Sequence, residues 1–170
     1  MQILPTVLVA AVAITQTIPF AYRPKRSEAV VVTAVADGDT ITVAKFGRIR
    51  LLGIDAPELG RGFDTSAPFA QEARDRLREM IFHRWVRLEQ DGETFDTYRR
   101  RLAYVFREDG VFVNAALVRD GLARVTARAP LARLDELKRA EAEARSFHRG
   151  MWGIAPRLPR PGYTRDPAQH

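Results

Sequence analysis

The chain contains no cysteine and only three histidines, and both shortages narrow the chemistry open to it. Without cysteine it can form neither a disulfide framework nor a thiolate metal site. His83, His148 and His170 have no zinc-ligand spacing and belong to no His-rich metal motif. A histidine general base is therefore disfavoured, and carboxylate chemistry is what remains for a reactive site.

Long apolar runs are also scarce. Eight consecutive apolar residues at 7–14 are too few for a full membrane span of about 20 residues, and they fit the core of a secretory signal. If the polar residues at 15–17 are tolerated, residues 3–22 are just long enough to cross a bilayer. Residues 1–26 are therefore predicted to be a signal peptide or a membrane anchor, plus a linker. The protein is then secreted or periplasmic, or alternatively anchored by this one segment. No basic residue precedes the core and no small-x-small cleavage site follows it, so a first strand or helix of the fold stays an alternative.

Lysine is rare as well, so the net charge of +6 and the pI near 10.3 come almost entirely from arginine. A basic balance favours an anionic partner, either nucleic acid or a membrane surface. The length of 170 residues predicts one domain with a real core plus short extensions. We expect a monomer, with no protein partner implied. Residues 154–170 are predicted to be a Pro-rich basic tail that cannot continue a helix.

Periodicity predicts an α+β fold between these two ends. Valine-rich or alternating segments predict strands at 28–36, 40–44, 48–54, 85–89 and 102–106, and Asp109-Gly110 predicts a hairpin from 102–106 to 111–113. Ser66 and Pro68 are typical of a helix start, and an apolar stripe at helical spacing follows them. Asn114 is predicted to cap a short helix, and a last helix is predicted at 131–149.

Acidic side chains and arginines gather in three short clusters. They are Asp-Gly-Asp-Thr at 37–40, which has no arginine, and Arg-Leu-Leu-Gly-Ile-Asp-Ala-Pro-Glu at 50–58 and Asp-Thr-Tyr-Arg-Arg at 96–100, which have both. Converging carboxylates can hold a hard divalent cation, and Asp39 and Asp55 each leave a predicted strand. Arg50 and Arg100 can clamp a phosphate through paired charged hydrogen bonds. The bland alternatives are turn chemistry for the aspartates, strongest for Asp37, and solvated surface positions for the arginines.

These clusters resemble, in order and spacing, the active site of the thermonuclease (staphylococcal nuclease-like) family. The strings Val-Ala-Asp-Gly-Asp-Thr, Arg-Leu-Leu-Gly-Ile-Asp-Ala-Pro-Glu and Asp-Thr-Tyr-Arg-Arg-Arg-Leu-Ala-Tyr carry the resemblance, which covers residues 28–152. It implies a thermonuclease-like domain at 27–153. It also implies a five-stranded OB-fold-type β-barrel with about three helices.

The same resemblance implies roles for six residues. Asp39 and Asp55 would be Ca²⁺ ligands with the carbonyl of Ala56. Arg50 and Arg100 would bind phosphate, and Glu58 would be the general base. The activity implied is a Ca²⁺-dependent hydrolysis of DNA or RNA by water attack on phosphorus, leaving 3′-phosphate ends. One departure is that Arg99 and Arg101 stand where the best-known member has glycines, which predicts a different backbone geometry for that loop.

Two other functions stay open at this point. One is a non-catalytic nucleic-acid-binding module on the same OB-fold barrel. The other is a membrane-tethered structural domain whose basic segment at 23–26 contacts anionic lipid. Neither explains why carboxylates stand in all three clusters and arginines in two of them.

Overall fold

The computed structural model describes residues 26–60, 62, 64–127 and 130–153. The apolar segment predicted to be a signal or an anchor, and the tail predicted at 154–170, lie outside the described residues. Within the described part of the chain, no helix combines the length and the apolar character needed to cross a bilayer.

Five strands close into a barrel. The strands of the chain are β1 (Val30–Asp37), β2 (Thr40–Val43), β3 (Gly47–Leu51), β4 (Ile54–Asp55), β5 (Trp85–Glu89), β6 (Arg101–Arg107) and β7 (Arg124–Val125). The barrel order is β1-β2-β3-β6-β5, and β4 pairs with β7 as a separate two-stranded ribbon. All barrel neighbours whose register is described are antiparallel except β3 and β6, which run parallel. The predicted α+β fold with a five-stranded OB-fold-type barrel is confirmed.

The hairpin of β2 and β3 shows how alternation fixes the barrel. Ile41 on β2 and Ile49 and Leu51 on β3 are buried in the core, while Arg48 is exposed on the opposite face of β3. The register pairs Thr40 with Arg50. Because a slip of one residue would exchange the two faces of a strand, burial of the apolar set also fixes where Arg50 stands.

Three α-helices pack on the barrel, as predicted: α1 (Ala70–Ile81), α2 (Val113–Arg119) and α3 (Leu134–Ser146), followed by a 3₁₀ turn at Gly150–Trp152. Their inward faces are small or aliphatic. In α1 the buried residues include Ala73, Leu77 and Ile81, at the spacing expected for one face of a helix. The core is therefore continuous from the barrel interior to the helices.

Two local predictions about the start of α2 were wrong. Residues 111–113 form no second strand of a hairpin; one isolated bridge joins Phe106 to Phe112, and α2 begins at once at Val113. Asn114 is not a cap but lies buried inside α2, where its Oδ1 accepts the N–H of Val105 at 2.9 Å and its Nδ2 donates to the carbonyl of Leu52 at 2.9 Å. These two bonds tie the helix to the barrel and override the capping preference of asparagine.

The start of α1 also differs from the prediction. Its first helical residue is Ala70, and the preceding Phe69 has a left-handed conformation with φ of 69°. The hydroxyl of Ser66 instead accepts the backbone N–H of Gly60 at 3.0 Å. Ser66 thus stabilises the loop that follows the second acidic cluster rather than the helix.

Glu89 is a buried carboxylate that ties three distant segments together. It is 1% exposed, at the end of β5. Its Oε2 accepts Nε of Arg26 at 2.9 Å, and its Oε1 accepts Nε of Arg133 at 2.9 Å. Burial raises the pKa of this carboxyl, but the bonds from the two arginines outweigh burial and leave it below its ordinary value. The cluster joins the chain before β1, the barrel and the entry to α3.

Replacing Glu89 with glutamine is expected to lower the free energy of unfolding by about 2 kcal/mol near neutral pH, because two arginines lose their buried partner. The depressed pKa means that the carboxylate stabilises the fold above its unfolded pKa of about 4.3, and that this contribution is lost as pH falls through the folded pKa. Urea unfolding at pH 7 and in the acid range measures both effects.

The matched control is Glu136→Gln. Glu136 pairs with Arg133 at 3.3 Å from a more exposed position on α3, so its loss is expected to cost less than about 0.5 kcal/mol. Equal destabilisation by the two variants, or an unchanged acid dependence in Glu89→Gln, would contradict a buried ion cluster as the source of stability.

Candidate active site

Asp39 is held at the turn between β1 and β2. It is buried, its Oδ1 accepts the hydroxyl of Thr40 at 3.0 Å, and its Oδ2 accepts the backbone N–H of Ala56 at 2.8 Å. A Cβ on Gly38 would lie 2.7 Å from the Cβ atoms of Ala56 and Ala73, so only glycine allows this turn to approach so closely. Asp37 accepts the N–H of Gly38 at 2.8 Å, which is the turn chemistry predicted for it.

Asp55 reaches the same place because the chain reverses after β3. The sequence predicts one strand at 48–54, but Gly53 has a φ of 77° and splits it into β3 and β4. A Cβ on Gly53 would come within 2.9 Å of Cδ1 of Leu137, so both backbone conformation and packing require glycine. Asp55 therefore stands on β4, next to the end of the barrel, with its side chain exposed.

Arg50 joins the two aspartates. Its Nη2 donates to Oδ1 of Asp55 at 2.5 Å, and its Nη1 forms an ion pair with Oδ2 of Asp39. The side chain is only 14% exposed. Burial lowers the pKa of the Arg50 guanidinium below its ordinary value, and the positive charge of Arg100 acts in the same direction, while Asp55 and Glu58 oppose them. Arg50 stays protonated, but it is a poorly hydrated cation that gains from an anion.

Arg100 is the second cation of the site. Its Nη1 lies 3.5 Å from the Thr40 hydroxyl that donates to Asp39. Its Nε donates to Oδ2 of Asp96 at 2.6 Å, and its own backbone N–H donates to Oδ1 of Asp96 at 2.8 Å. The three acidic and basic clusters that the sequence singled out therefore meet at one end of the barrel.

Asp96 positions Arg100, a role that the sequence analysis did not assign. Burial raises the pKa of its carboxyl, but the hydrogen bonds from Arg100 outweigh burial and leave it lowered. The same carboxylate accepts the N–H of Tyr98 at 2.9 Å, as in an Asx turn. The sequence signal for this role is that Asp96 begins a short polar loop that ends at Arg100.

Arg99 holds the backbone conformation of a glycine. Its φ is 60°, in the left-handed region that glycine adopts without strain. Arginine in place of glycine predicts a different backbone geometry for this loop. The φ of Arg99 is nevertheless positive, as glycine favours. The conformation is fixed by the bonds of Asp96 across the turn, including Arg99 N–H to the Asp96 carbonyl at 3.0 Å.

Glu58 and Ala56 complete the set of predicted residues. Ala56 is buried, with its N–H bound to Asp39. Glu58 is exposed, and its charge raises the pKa of Arg50. An open cleft of about 670 Å³ is lined by Arg50, Asp55, Asp96 and Arg100, with Thr126 and Leu131 among its other walls. The roles of the six predicted residues stay predictions, but Asp39, Arg50, Asp55 and Ala56 are joined by direct contacts, and Arg100 reaches Asp39 through Thr40.

The oxygen ligands at this site suit a hard cation. Among the described residues no three acidic, histidine or cysteine side chains converge closely enough to hold a metal ion. A cation here would thus take two carboxylates and complete its shell with a backbone carbonyl and water, as Ca²⁺ accepts. Asp39 and Asp55 lie close enough together to share one cation, because both contact the same guanidinium, that of Arg50.

Comparisons with known proteins agree with the geometry. The family model described as "Staphylococcal nuclease homologue" matches residues 48–153. The thermonuclease of Staphylococcus intermedius is 36% identical over 131 residues, covering 75% of this chain and 77% of that protein. The thermonuclease of Staphylococcus hyicus is 34% identical over 125 residues, covering 71% and 73%. The endonuclease YncB of Bacillus subtilis is 33% identical over 140 residues, covering 79% and 66%.

Proposed function

This chain belongs to the staphylococcal nuclease homologue family, and from that premise we propose that it is a nuclease that hydrolyses phosphodiester bonds in DNA, RNA or both. The observation that carries the proposal is the meeting of Asp39, Arg50, Asp55 and Arg100 beside one open cleft. Two carboxylates next to two guanidinium groups match a phosphodiester with its water nucleophile better than any neutral substrate.

The arginines bind the phosphate. Arg50 is largely removed from water, so a charged phosphate oxygen interacts with it more strongly than with a solvated arginine. Arg100 is held by Asp96 with its Nη1 turned toward Thr40. As negative charge builds on the phosphate oxygens in the transition state, both guanidinium groups stabilise it, Arg50 after exchanging its bonds to Asp39 and Asp55 for bonds to the phosphate.

Glu58 is the proposed general base. It is exposed, and its charge acts on Arg50, which lines the cleft. It would accept a proton from the water that attacks phosphorus, and the bond from phosphorus to the 5′-oxygen would break. The phosphate then stays on the 3′ end of the product.

A divalent cation, which we propose to be Ca²⁺, would be held by Asp39, Asp55 and the carbonyl oxygen of Ala56. When bound it supplies positive charge next to the phosphate and the attacking water. Asp39 is prepared for this role because Thr40 and Ala56 fix its orientation.

The test is a cleavage assay on single-stranded DNA and RNA, with Ca²⁺ or with EGTA, followed by analysis of the product ends. We expect cleavage with Ca²⁺, little or none with EGTA, and phosphate at the 3′ ends. Asp39→Asn protein purified in parallel controls for contaminating nucleases. Binding that persists in EGTA with no product under any condition would instead favour the non-catalytic module.

Export is a separate proposal, because the N-terminal segment lies outside the described residues. We propose that residues 1–26 direct the protein out of the cytoplasm, either as a cleaved signal or as an anchor. Sequencing the N-terminus of the protein from the culture fluid and from membranes separates these outcomes. An intact N-terminus found only in the cytosol would contradict both.

A further inference from the structure

A second surface outside the catalytic cleft carries exposed aromatic rings around an arginine. It consists of Phe46, Phe95 and Arg101, which we call the aromatic platform. Phe46 is 39% exposed and Phe95 is 50% exposed. The guanidinium carbon of Arg101 lies 5.3 Å from the ring centroid of Phe46 and 5.0 Å from that of Phe95. Among the described residues, Nε of Arg101 is buried and has no hydrogen-bond partner.

The platform is built on the loop that carries the catalytic arginine. Phe95 bridges to Arg101, while Asp96 holds Arg100 one position further along. The parallel register that pairs Ile49 with Arg101 brings the tip of the β2–β3 hairpin, with Phe46, to the same place. Arg100, just before β6, lines the catalytic cleft, whereas Arg101, the first residue of β6, lies against the platform rings.

A smaller cleft continues from the catalytic one at this point. It has a volume of about 440 Å³ and is lined by Phe46, Thr94 and Arg101, among others. Asp91 and Gly92 line both clefts, so the two share a wall. A strand held at Arg50 and Arg100 can therefore pass over this wall and reach the platform without leaving the surface.

The chemistry of the platform suits a base of single-stranded nucleic acid. Aromatic rings stack on any base, and arginine adds a cation for the adjacent phosphate. Lys45 and Arg48, both exposed, lie beside Phe46 in the hairpin. The acidic residues on the nearby loop are Asp91, which is buried, Glu93, and Asp96, which is paired with Arg100. A cation–π cluster with a purely structural role gains nothing from leaving half of the Phe95 ring in water.

We propose that the aromatic platform is an accessory substrate subsite, on which a base of the bound single strand stacks beyond the phosphate being cleaved. The inference rests on the proposed function in taking nucleic acid as the ligand. The proposed subsite makes the affinity for the substrate depend on the length of the strand. A strand long enough to cover both clefts gains the stacking contact, and a dinucleotide does not.

The test compares the full-length protein with the double variants Phe46→Ala/Phe95→Ala and Phe46→Leu/Phe95→Leu. The leucine pair keeps apolar volume without a ring, so it separates loss of stacking from loss of folding. Phe147→Ala is the matched control, since this ring is 65% exposed and lies 4.9 Å from the guanidinium of Arg149 elsewhere on the surface. Fluorescence anisotropy in EGTA measures the Kd for a labelled single strand of about 16 nucleotides, the upper site size of one OB fold.

We expect both double variants to weaken the Kd for the long strand on the order of tenfold, and Phe147→Ala to leave it unchanged. In cleavage assays the KM for the long strand rises with little change in kcat, and the KM for a dinucleotide rises much less. An equal loss for long and short substrates, an equal loss in the control, or a lower Tm with an unchanged Kd would each overturn the subsite. Absence of any binding by the wild type would do the same. Wild-type protein whose binding depends on the platform but which cleaves nothing would support the subsite and refute the proposed catalysis.

Discussion

Arg50→Lys is expected to lower kcat on the order of 10³-fold while the fold is retained. Arg50 contacts Asp39 and Asp55 with two different nitrogens of one planar group. A lysine keeps the charge, but its single ammonium cannot present two parallel donors to a phosphate. The loss therefore appears mainly in kcat, because the second donor matters most as charge builds on the phosphate in the transition state.

The control for this prediction is Arg48→Lys. Arg48 lies two residues earlier on the same face of β3, is exposed, and stands outside the residues that line the catalytic cleft. We expect its kcat to stay within about twofold of the wild-type value, as for an ordinary surface substitution. Circular dichroism melts of both variants check the fold. If Arg50→Lys retained more than a tenth of the wild-type kcat, Arg50 would not be a phosphate clamp.

Asp39→Asn is expected to remove most of the activity, again on the order of 10³-fold, and also the response of the protein to Ca²⁺. Both carboxylate oxygens of Asp39 accept hydrogen bonds, from the Thr40 hydroxyl and the Ala56 N–H. An amide keeps one acceptor and turns an NH₂ group toward another donor. The variant therefore loses both the charge and one oxygen that a cation would use.

The calcium response gives a readout that does not depend on cleavage. A ligand that binds only the folded state stabilises it, by about 2.7 kcal/mol at a concentration of 100 times Kd. We expect Ca²⁺ to raise the Tm of the wild type and to leave that of Asp39→Asn unchanged. Asp37→Asn is the control in the same turn, because an amide oxygen can still accept the Gly38 N–H. An equal rise of Tm in wild type and Asp39→Asn would argue against Asp39 as a cation ligand.

The parts of the fold that could be predicted from sequence are those in which one face of an element is buried. Alternation at 48–54 predicts that Arg48 and Arg50 share one face of a strand and that Ile49 and Leu51 share the other, and the structure buries Ile49 and Leu51. Helical spacing identified Ala73, Leu77 and Ile81 as the buried stripe of α1. In each case local periodicity and tertiary burial select the same residues, so the pattern alone is informative.

Two of the wrong predictions share a different cause, which is a polar side chain that bonds a backbone group outside the predicted cap. Asn114 was assigned to a cap from its local preference, yet its amide bonds Val105 and Leu52 on the barrel. Ser66 was assigned to a helix start and instead serves Gly60. Turn and cap preferences describe only the neighbouring backbone, and they contain no information about a partner that folding brings from elsewhere.

The sequence predicts which residues gather at the candidate site, but it does not predict which contacts they make there. The spacing of three motifs singled out Asp39, Arg50, Asp55 and Arg100, and the structure brings them together. The role of Asp96 in holding Arg100, and the reversal at Gly53 that turns Asp55 back, follow from geometry that a motif does not encode. A motif shows which chemical groups are present, whereas the barrel fold determines which of these groups come into contact.

The parallel pairing of β3 with β6 bears on when this protein can become active during its own synthesis. Between these partners the ribosome must still produce α1 and β5, so a nascent chain that ends with β5 at Glu89 contains Arg50 but lacks Arg100 and the strand that closes the barrel. Non-local contacts of this kind form only after both partners have left the exit tunnel. A polypeptide that ends before Arg100 therefore cannot yet assemble the pair of guanidinium groups at the candidate site.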